Sequence, residues 1–207
     1  ARTQTTASFF APGQFMSVRV LDRRGLSEER RKQFFLALWG LTTLGSIGHR
    51  SHNAFGSVRI IDRTVFHKEL GENFLTELPS REALHSLPKV GPLSTDAAFP
   101  IWSANARVAM LREHNTFTEA LAELGQATIE ARAAMGSKEN RSVLGLPIIR
   151  GPQGRQPSPV NRRVCELAPD RFVPVLCALP HASGHPEALD LVQRYMDALP
   201  ASTPIFP

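Results

Sequence analysis

The residues best suited to chemistry crowd into one segment, residues 44–58, which holds three glycines, two histidines, one arginine, one asparagine and three serines. Glycine allows positive φ and a close approach of the backbone to a ligand, and consecutive free N–H groups form nests that bind anions. Arg50 adds a planar fork of donors that suits phosphate. The segment is therefore predicted to hold a phosphate-bearing ligand, with an ordinary glycine-rich connection between a helix and a strand as the alternative.

Two nucleotide-binding loops do not fit this segment. A Walker A loop requires the pattern G-x-x-x-x-G-K-[ST] between a strand and a helix, and a Rossmann fingerprint also places the strand first. Here an amphipathic run precedes the glycines, a strand-like run at 58–61 follows them, and no lysine comes directly after them. Nucleotide hydrolysis and dinucleotide binding are therefore not predicted.

The histidines lack the pattern that metal or hydrolytic chemistry would need. A zinc site would have to combine His49 and His52 with His181 and His185, but no H-E-x-x-H motif or adjacent carboxylate supports it. The sequence has no G-x-S-x-G nucleophile elbow either. A histidine beside Arg50 would suit a metal-free ribonuclease, although a phosphate-contacting or solvent-facing role is favoured. We therefore predict no catalytic residue, no metal and no cofactor.

Composition indicates a soluble globular protein with a mild basic bias. The 207 residues carry a formal net charge of +5, which is compatible with nucleic acid but not diagnostic of it. No apolar run reaches the roughly 20 residues of a membrane span. Cys165 and Cys177 are expected to be reduced, small core residues, so a cytoplasmic location without membrane contact is predicted.

The first third of the chain is predicted to hold a strand, a helix and a second strand. The first strand covers 15–21, Ser27 caps the helix, and Gly45 ends it. The second strand covers 58–61, and Phe55 before it is expected to anchor the segment to the core or to stack on a base. The apolar residues at helical spacing are Phe34, Phe35, Leu38, Leu41 and Leu44.

The middle of the chain is rich in proline. Residues 62–100 are predicted to be irregular apart from a short helix at 81–85. A strand is favoured within 101–112, and a capping-box pattern starts a helix at Thr116 that stops at Gly136. The residues expected on the buried face of this helix are Phe117, Ala120, Leu121, Leu124, Thr128, Ala131 and Met135.

The last third is predicted to hold a hairpin and a helix. A loop rich in glycine and proline leads to two antiparallel strands at 161–166 and 171–179. Pro174 indicates that the second strand lies at an edge of the sheet or carries a bulge. A final helix begins at Pro186 and is followed by a proline-rich tail. Its expected apolar face comprises Leu189, Val192, Tyr195, Met196 and Leu199.

These elements favour an α+β fold with an antiparallel sheet. The order strand, helix, loop and strand within residues 1–61 is half of a ferredoxin-like βαββαβ unit. That architecture underlies many RNA-recognition domains. The glycine-rich loop, together with helical and irregular insertions, would then be added to this core.

At this point four stretches resemble the CRISPR-associated RAMP superfamily, most closely the first RAMP subunit of type III-B (Cmr) effector complexes. Residues 41–58 resemble the family's glycine-rich loop, typically a Gly-Gly-Leu-Gly segment, an Arg-rich stretch and Gly-Phe-Gly-Ser. Residues 9–15 resemble its Pro-Gly-x-Phe strand start, and 120–132 resemble a later helix. Residues 145–160 are similar to its Gly-Leu-Pro and Ser-Pro segment before a C-terminal hairpin.

The resemblance implies a non-catalytic structural subunit that binds guide RNA, or the duplex of guide and target RNA, in antiviral defence. It implies other CRISPR effector subunits as partners, with the cutting residues in those subunits. The RNA-binding residues that it implies are Gly45, Ser46, Gly48, His49, Arg50, Ser51, His52, Asn53, Phe55 and Gly56, with Arg150, Arg155, Arg162 and Arg163 extending the basic surface.

The resemblance also implies a single partial RAMP domain over 1–207, which would be either the C-terminal part of a longer protein or the partner of a separate N-terminal half. Residues 1–61 would be the strand–helix–loop–strand part, 62–160 an insertion and a helix, and 161–207 the hairpin and C-terminal helix. His52 and Asn53 stand where arginines are usual, and His49 replaces a small residue, which lowers the positive charge expected there.

Two alternatives stay open. One is a stand-alone RAMP-type endoribonuclease that processes guide RNA without a metal, using His49 or His52. The other is a protein-interaction module with a vestigial loop.

Overall fold

The computed structural model describes the chain from Leu21 onward, with the gaps given below. The strand predicted at 15–21 therefore lies, except for its last residue, outside the described part of the chain. The described residues are 21, 25–45, 60–87, 102, 105–137, 140–141, 143–144, 158–179 and 187–200, with the backbone of 203–206.

Within these residues the chain forms a four-stranded antiparallel sheet with α-helices on both sides. A short 3-10 helix, Glu72–Phe74, follows the second α-helix. The helices and strands are α1 (Glu28–Thr43), α2 (Thr64–Leu70), α3 (Arg81–Ser86), β1 (Arg107–Met110), α4 (Phe117–Ala134), β2 (Val160–Ala168), β3 (Arg171–Ala178), α5 (Ala188–Asp197) and β4 (Thr203–Phe206).

The predicted fold class is confirmed, and the described residues contain a complete ferredoxin-like unit. β1, α4, β2, β3, α5 and β4 follow one another in the order βαββαβ, and the strands lie in the order β2-β3-β1-β4 with antiparallel neighbours. The sequence analysis expected half of this unit within residues 1–61. Apart from α1, that part lies almost wholly outside the described residues and stays a prediction. The complete unit lies between Arg107 and Phe206, and its last strand occupies the stretch expected to be a tail.

α1 begins as predicted, and its predicted face is confirmed in part, because Leu44 is buried and Phe35 and Leu38 pack against the core. The Oγ of Ser27 accepts a hydrogen bond from the backbone N–H of Arg30 at 3.4 Å. Trp39 is 0% exposed and meets the Phe74 ring edge-on, with ring centroids 5.2 Å apart, whereas Leu41 is 50% exposed. Because α1 is apolar on several sides, the spacing of its apolar residues alone did not select the face that the large indole occupies.

The proline-rich middle contains more helix than expected. α3 confirms the short predicted helix, and the Oγ of Ser80 accepts a hydrogen bond from the Ala83 N–H at 3.1 Å. α2 was not predicted, although Phe66 on it is almost fully buried. The strand predicted at 58–61 is wrong at the two residues that are described, because Ile60 and Ile61 belong to no strand and Ile61 is exposed.

α4 confirms the predicted capping pattern. The Oγ1 of Thr116 accepts a hydrogen bond from the Glu119 N–H at 3.2 Å, and Gly136 follows the helix with φ +79°. Phe117 is the exception on the predicted face, because it is half-exposed and packs edge-on against Phe172 instead. The residues of α4 that are buried are Ala120, Leu124, Ala127, Thr128 and Ala131.

β2 and β3 form the predicted hairpin, and α5 forms the predicted final helix. A two-residue turn joins the strands, and Asp170 in that turn has φ +59°. On α5, Leu189 is 41% exposed, so its predicted burial is wrong. Leu191, which was not predicted, is buried in the core instead. The other predicted residues of that face, Val192, Tyr195, Met196 and Leu199, are all buried.

Pro174 lies in a central strand, so its predicted place at a sheet edge is wrong. β3 lies between β2 and β1, and the Pro174 carbonyl accepts a hydrogen bond from the Leu111 N–H at 3.0 Å, just beyond the end of β1. The N–H and C=O of one strand residue point toward the same neighbouring strand. The N–H that Pro174 lacks would therefore point toward Leu111, where the hydrogen-bond ladder between β1 and β3 already ends. The register with β1 then slips by one residue before the His114–Phe172 bridge, which is the irregularity that proline requires.

Helices cover both faces of the sheet. One core lies between the sheet and α4 with α5, and the other lies between the sheet and α1, α2 and α3. Consecutive strand residues alternate between the two cores: Leu176 enters the first, and Val175 and Cys177 enter the second. None of the helices in the described residues is both long and apolar enough to cross a membrane.

Replacing Trp39 by alanine is expected to lower the free energy of unfolding by about 3–5 kcal/mol, the usual range for a buried aromatic side chain. Leu41→Ala on the same helix is the matched control and should cost about 1 kcal/mol or less. Urea unfolding followed by circular dichroism would compare the two variants. Equal losses would contradict the packing of α1 through its indole.

Candidate nucleic-acid interface

The glycine-rich segment starts where α1 ends, and its first glycine has a steric role. The N–H of Gly45 donates to the carbonyls of Leu41 at 3.1 Å and Gly40 at 3.2 Å. A Cβ added to Gly45 would lie 2.5 Å from the Leu41 carbonyl oxygen, a distance that side chains do not tolerate. The helix can therefore end in this way only at a glycine, whether or not the same backbone also contacts a ligand.

Arg163, on the sheet, reaches the C-terminal end of α1. Its Nη1 donates a hydrogen bond to the carbonyl oxygen of Thr42 in the last turn, while the Thr42 hydroxyl donates to the Leu38 carbonyl at 2.8 Å. The last carbonyls of a helix lack N–H partners within it and carry a partial negative charge. A buried guanidinium there satisfies an acceptor and complements the helix dipole, and so fixes the base of the segment.

The far end of the segment is fixed as well. The Asp62 carboxylate accepts hydrogen bonds from the Thr64 N–H at 2.9 Å and from the Thr64 hydroxyl at 2.6 Å, which hold the pKa of Asp62 below its ordinary value. Arg63 forms a bidentate pair with Glu77, with N–O distances of 3.1 and 2.7 Å. Both charged groups are largely buried, so the pair is well ordered.

A further ion pair joins the two helices that carry these ends. The Nε of Arg31 on α1 lies 2.9 Å from the Oε2 of Glu69 on α2. The segment thus begins and ends on one packed layer. The predicted site residues between its two ends lie outside the described residues and stay predictions: Ser46, Gly48, His49, Arg50, Ser51, His52, Asn53, Phe55 and Gly56, as do Arg150 and Arg155 on the later loop.

The expectation that Arg162 and Arg163 extend a basic surface is wrong. Arg162 is 5% exposed and Arg163 is 2% exposed. Neighbouring residues of a strand point to opposite faces, and both faces of β2 are covered. Arg162 therefore points to the α4–α5 side, where its Nη2 lies 3.5 Å from the hydroxyl of Tyr195, and Arg163 points to α1.

The sheet itself is closed to nucleic acid. In RNA-recognition domains with this topology, aromatic residues on the open sheet face stack on bases. Here α1, α2 and α3 cover that face, and Trp39, Phe66 and Phe74 from this layer fill the space. RNA contact on this side would have to use loops at the margin of the layer.

The cysteines take no part in chemistry at the described surface. Both are free and buried, as the sequence predicts. Burial raises the pKa of the Cys165 thiol, against the opposing effect of the Arg163 guanidinium, and burial raises the pKa of Cys177 to about 12. Neither thiol is therefore ionised near neutral pH. In the part of the chain described, no three His, Cys, Asp or Glu side chains come together as a metal site.

The sequence analysis missed the residues that hold the segment in place. Arg63 and Glu77 are 14 residues apart, and no spacing rule joins them. The sequence did hold a signal for the burial of Arg163. The next two residues of the strand, Val164 and Cys165, are both apolar and point to opposite faces of the sheet. A strand that is apolar on both faces leaves no wet side for an arginine.

Gly45→Ala is expected to destabilise the protein by about 1–3 kcal/mol, because the new methyl group meets backbone rather than a movable side chain. Gly40→Ala in the same helix is the matched control. Its added Cβ would touch only Leu87, at 4.0 Å, and helix propensity should stabilise it by up to about 1 kcal/mol. Chemical unfolding would measure both, and a neutral Gly45→Ala would contradict the steric role.

The native thiols are expected to resist alkylation at about pH 8. At a pKa of about 12, the thiolate fraction of Cys177 is about one part in ten thousand. Labelling should speed up as the pH rises toward the pKa, and both thiols should react promptly in denaturant. Rapid labelling of the folded protein, detected by mass spectrometry, would be the opposite result.

Comparison with known proteins gives one informative likeness. No protein-family model matches the chain, and no curated protein matches it. The crystal structure of Cmr1 from Pyrococcus furiosus in its apo form is similar, with a TM-score of 0.52 and 19% sequence identity. The likeness covers 87% of this chain and 60% of the Cmr1 chain. The chain therefore shares the fold of Cmr1, which confirms at the level of the fold the resemblance found in the sequence.

Proposed function

We propose that this chain is a non-catalytic, RNA-binding subunit of a type III CRISPR effector complex. Its ligand would be guide RNA or the duplex of guide and target RNA, and its partners the other subunits of the complex. The observation that carries the proposal is the layer of α1 and α2, which anchors both ends of a Gly-, His- and Arg-containing segment on a Cmr1-like fold.

The anchored ends support binding by the segment. Binding loops work best when a rigid scaffold presents them, because less ordering remains to be done when the ligand arrives. Gly45 and Arg163 fix one end, and Asp62 and Arg63 fix the other. The buried positions of the anchoring cations also show that they serve the scaffold.

The burial of three arginines limits the number of side chains that can contact RNA phosphates. Arg63, Arg162 and Arg163 lie inside the protein, so the formal charge of +5 overstates what these side chains offer to RNA. Arg50, the one arginine in the sequence of the segment, is the guanidinium that we propose contacts a backbone phosphate. A modest salt dependence follows, because few cations displace counterions.

Arg50→Ala is expected to weaken the binding of a labelled single-stranded CRISPR-repeat RNA about tenfold, equivalent to about 1.4 kcal/mol. The slope of log affinity against log salt should fall by about 0.7, the value for one lost phosphate contact on a single strand. Fluorescence anisotropy over a salt series would measure both. Arg30→Ala, at the exposed opposite end of α1, is the matched control and should bind like the wild type.

Unchanged affinity of Arg50→Ala, with no salt dependence, would favour the protein-interaction module instead.

Incubating the same RNA with the protein and a metal chelator tests the alternative of a metal-independent ribonuclease. Intact RNA is expected. Metal-independent cleavage that disappears in His49→Ala or His52→Ala would overturn the non-catalytic assignment.

A further inference from the structure

A small cavity lies between the start of β1 and the first turns of α5. Its volume is about 250 Å³. Consecutive strand residues alternate between the two cores, and because Ala109 enters the core beneath α4 and α5, Arg107 points to that same side. The cavity is therefore on the opposite face of the sheet from α1 and α2. The residues that line it are Asn105, Arg107, Leu189, Asp190, Val192 and Gln193.

Hydrogen bonds fix the plane of the Arg107 guanidinium at this cavity. Its Nε donates to the Oε1 of Gln193 at 2.9 Å, and its Nη1 donates to the Ala106 carbonyl at 3.0 Å. The Nε2 of Gln193 in turn donates to the Oδ1 of Asp197 at 2.6 Å. The N–H groups of a guanidinium lie in its plane, so these bonds orient its two flat faces without occupying them. A planar ligand can then stack on the cation with little further ordering of the side chain.

Asp190 brings a hydrogen-bond acceptor to the same cavity. It comes about one helical turn before Gln193, so both side chains lie on one side of α5. Asp190 is exposed, and among the described residues no cation or N–H group is paired with its carboxylate. An ionised carboxylate only accepts hydrogen bonds, and its two oxygens suit a pair of neighbouring N–H donors.

Aliphatic side chains complete the cavity. Val192 is buried in the core beneath α5, whereas Leu189 is exposed beside the polar groups. An apolar wall with a few converging polar groups is typical of a site for a small ligand. The flat cation, the aliphatic surface and the carboxylate together suit a planar ligand that carries N–H donors along one edge.

We propose that this cavity binds a guanine base, which stacks on the Arg107 guanidinium and donates its N1–H and N2–H groups to the Asp190 carboxylate. Proteins recognise unpaired RNA bases by stacking them on aromatic rings or guanidinium planes and by bonding to their edges. Guanine offers donors on two adjacent nitrogen atoms of one edge, whereas adenine, cytosine and uracil each offer one donor nitrogen. A carboxylate with two acceptor oxygens therefore distinguishes guanine.

The guanine base belongs either to RNA or to a free guanine nucleotide. The inference goes beyond RNA binding by the glycine-rich segment and does not depend on it, because the cavity and the ends of that segment lie on opposite faces of the sheet.

Calorimetric titration of the full chain with GMP, IMP and AMP tests the site. The three nucleotides share the ribose and the phosphate, and IMP differs from GMP only in lacking the N2 amino group. The wild type should bind GMP about tenfold more tightly than IMP or AMP, as expected for a bidentate contact to a base edge. Asp190→Asn should bind all three with equal affinity, because its amide has a single oxygen to accept hydrogen bonds.

Leu189→Ala should weaken all three nucleotides by the same factor, because the aliphatic wall contacts any base, and should leave the preference for GMP unchanged. Glu130→Gln is the matched control for the lost carboxylate, since Glu130 is exposed on α4 outside the cavity and the variant should keep the preference. Equal affinity of the wild type for the three nucleotides, no binding of GMP, or an unchanged preference in Asp190→Asn would overturn the site.

RNA identifies the source of the base. An oligouridine strand with one guanosine is compared with the same strand carrying inosine, using the wild type and Asp190→Asn. If inosine weakens binding in the wild type alone, an RNA base occupies the cavity, and if neither protein distinguishes the strands while the wild type prefers GMP, the cavity takes a free nucleotide. Both results support a guanine site.

Equal weakening by inosine in both proteins would place guanine recognition elsewhere and overturn the site. Arg50→Ala should keep the preference for GMP, so failure of the RNA-binding proposal and failure of this site are distinguishable.

Discussion

A sheet covered by helices on both faces leaves its strands no side on which a charged residue meets water. This constraint determines the roles of the basic residues on β2. The Arg163 side chain points to α1 and donates to a carbonyl at its C-terminal end, while the Arg162 side chain points to Tyr195. The same covering removes the open sheet face on which other ferredoxin-like domains stack bases, so any contact with nucleic acid moves to the margins of the layers.

Buried arginines in the two layers meet different internal acceptors. Between the sheet and α1–α3, Arg63 meets Glu77, and Arg163 meets a helix carbonyl, so each guanidinium has an internal acceptor. Between the sheet and α4–α5, the Nη2 of buried Arg162 lies 3.5 Å from the hydroxyl of Tyr195. A buried guanidinium with an internal acceptor contributes to order, because its hydrogen-bonding groups are satisfied without water. The arginines on β2 therefore serve the packing of the helices on both faces of the sheet.

Local signals predicted much of the fold. The caps at Ser27 and Thr116 and the stop at Gly136 depend on residues within one turn, and the structure places each as expected. Features that depend on contacts between residues far apart in the chain could not be predicted from such local patterns. The face of α1 depends on where Phe74 lies, and Pro174 is central because β1 ends beside it. For the candidate site, sequence indicated where the glycines begin, but the contact that holds α1 comes from a strand far along the chain.

The hydrogen bond from Arg163 to Thr42 joins residues 121 positions apart. A ribosome releases α1 long before it makes β2, so α1 leaves the ribosome with its C-terminal carbonyls still dependent on water. The scaffold for the glycine-rich segment is completed only after the hairpin of the ferredoxin-like unit has formed. Such long-range closure slows folding. It also sets an order of events during synthesis, because the end of α1 receives its hydrogen bond from Arg163 only after β2 has been made.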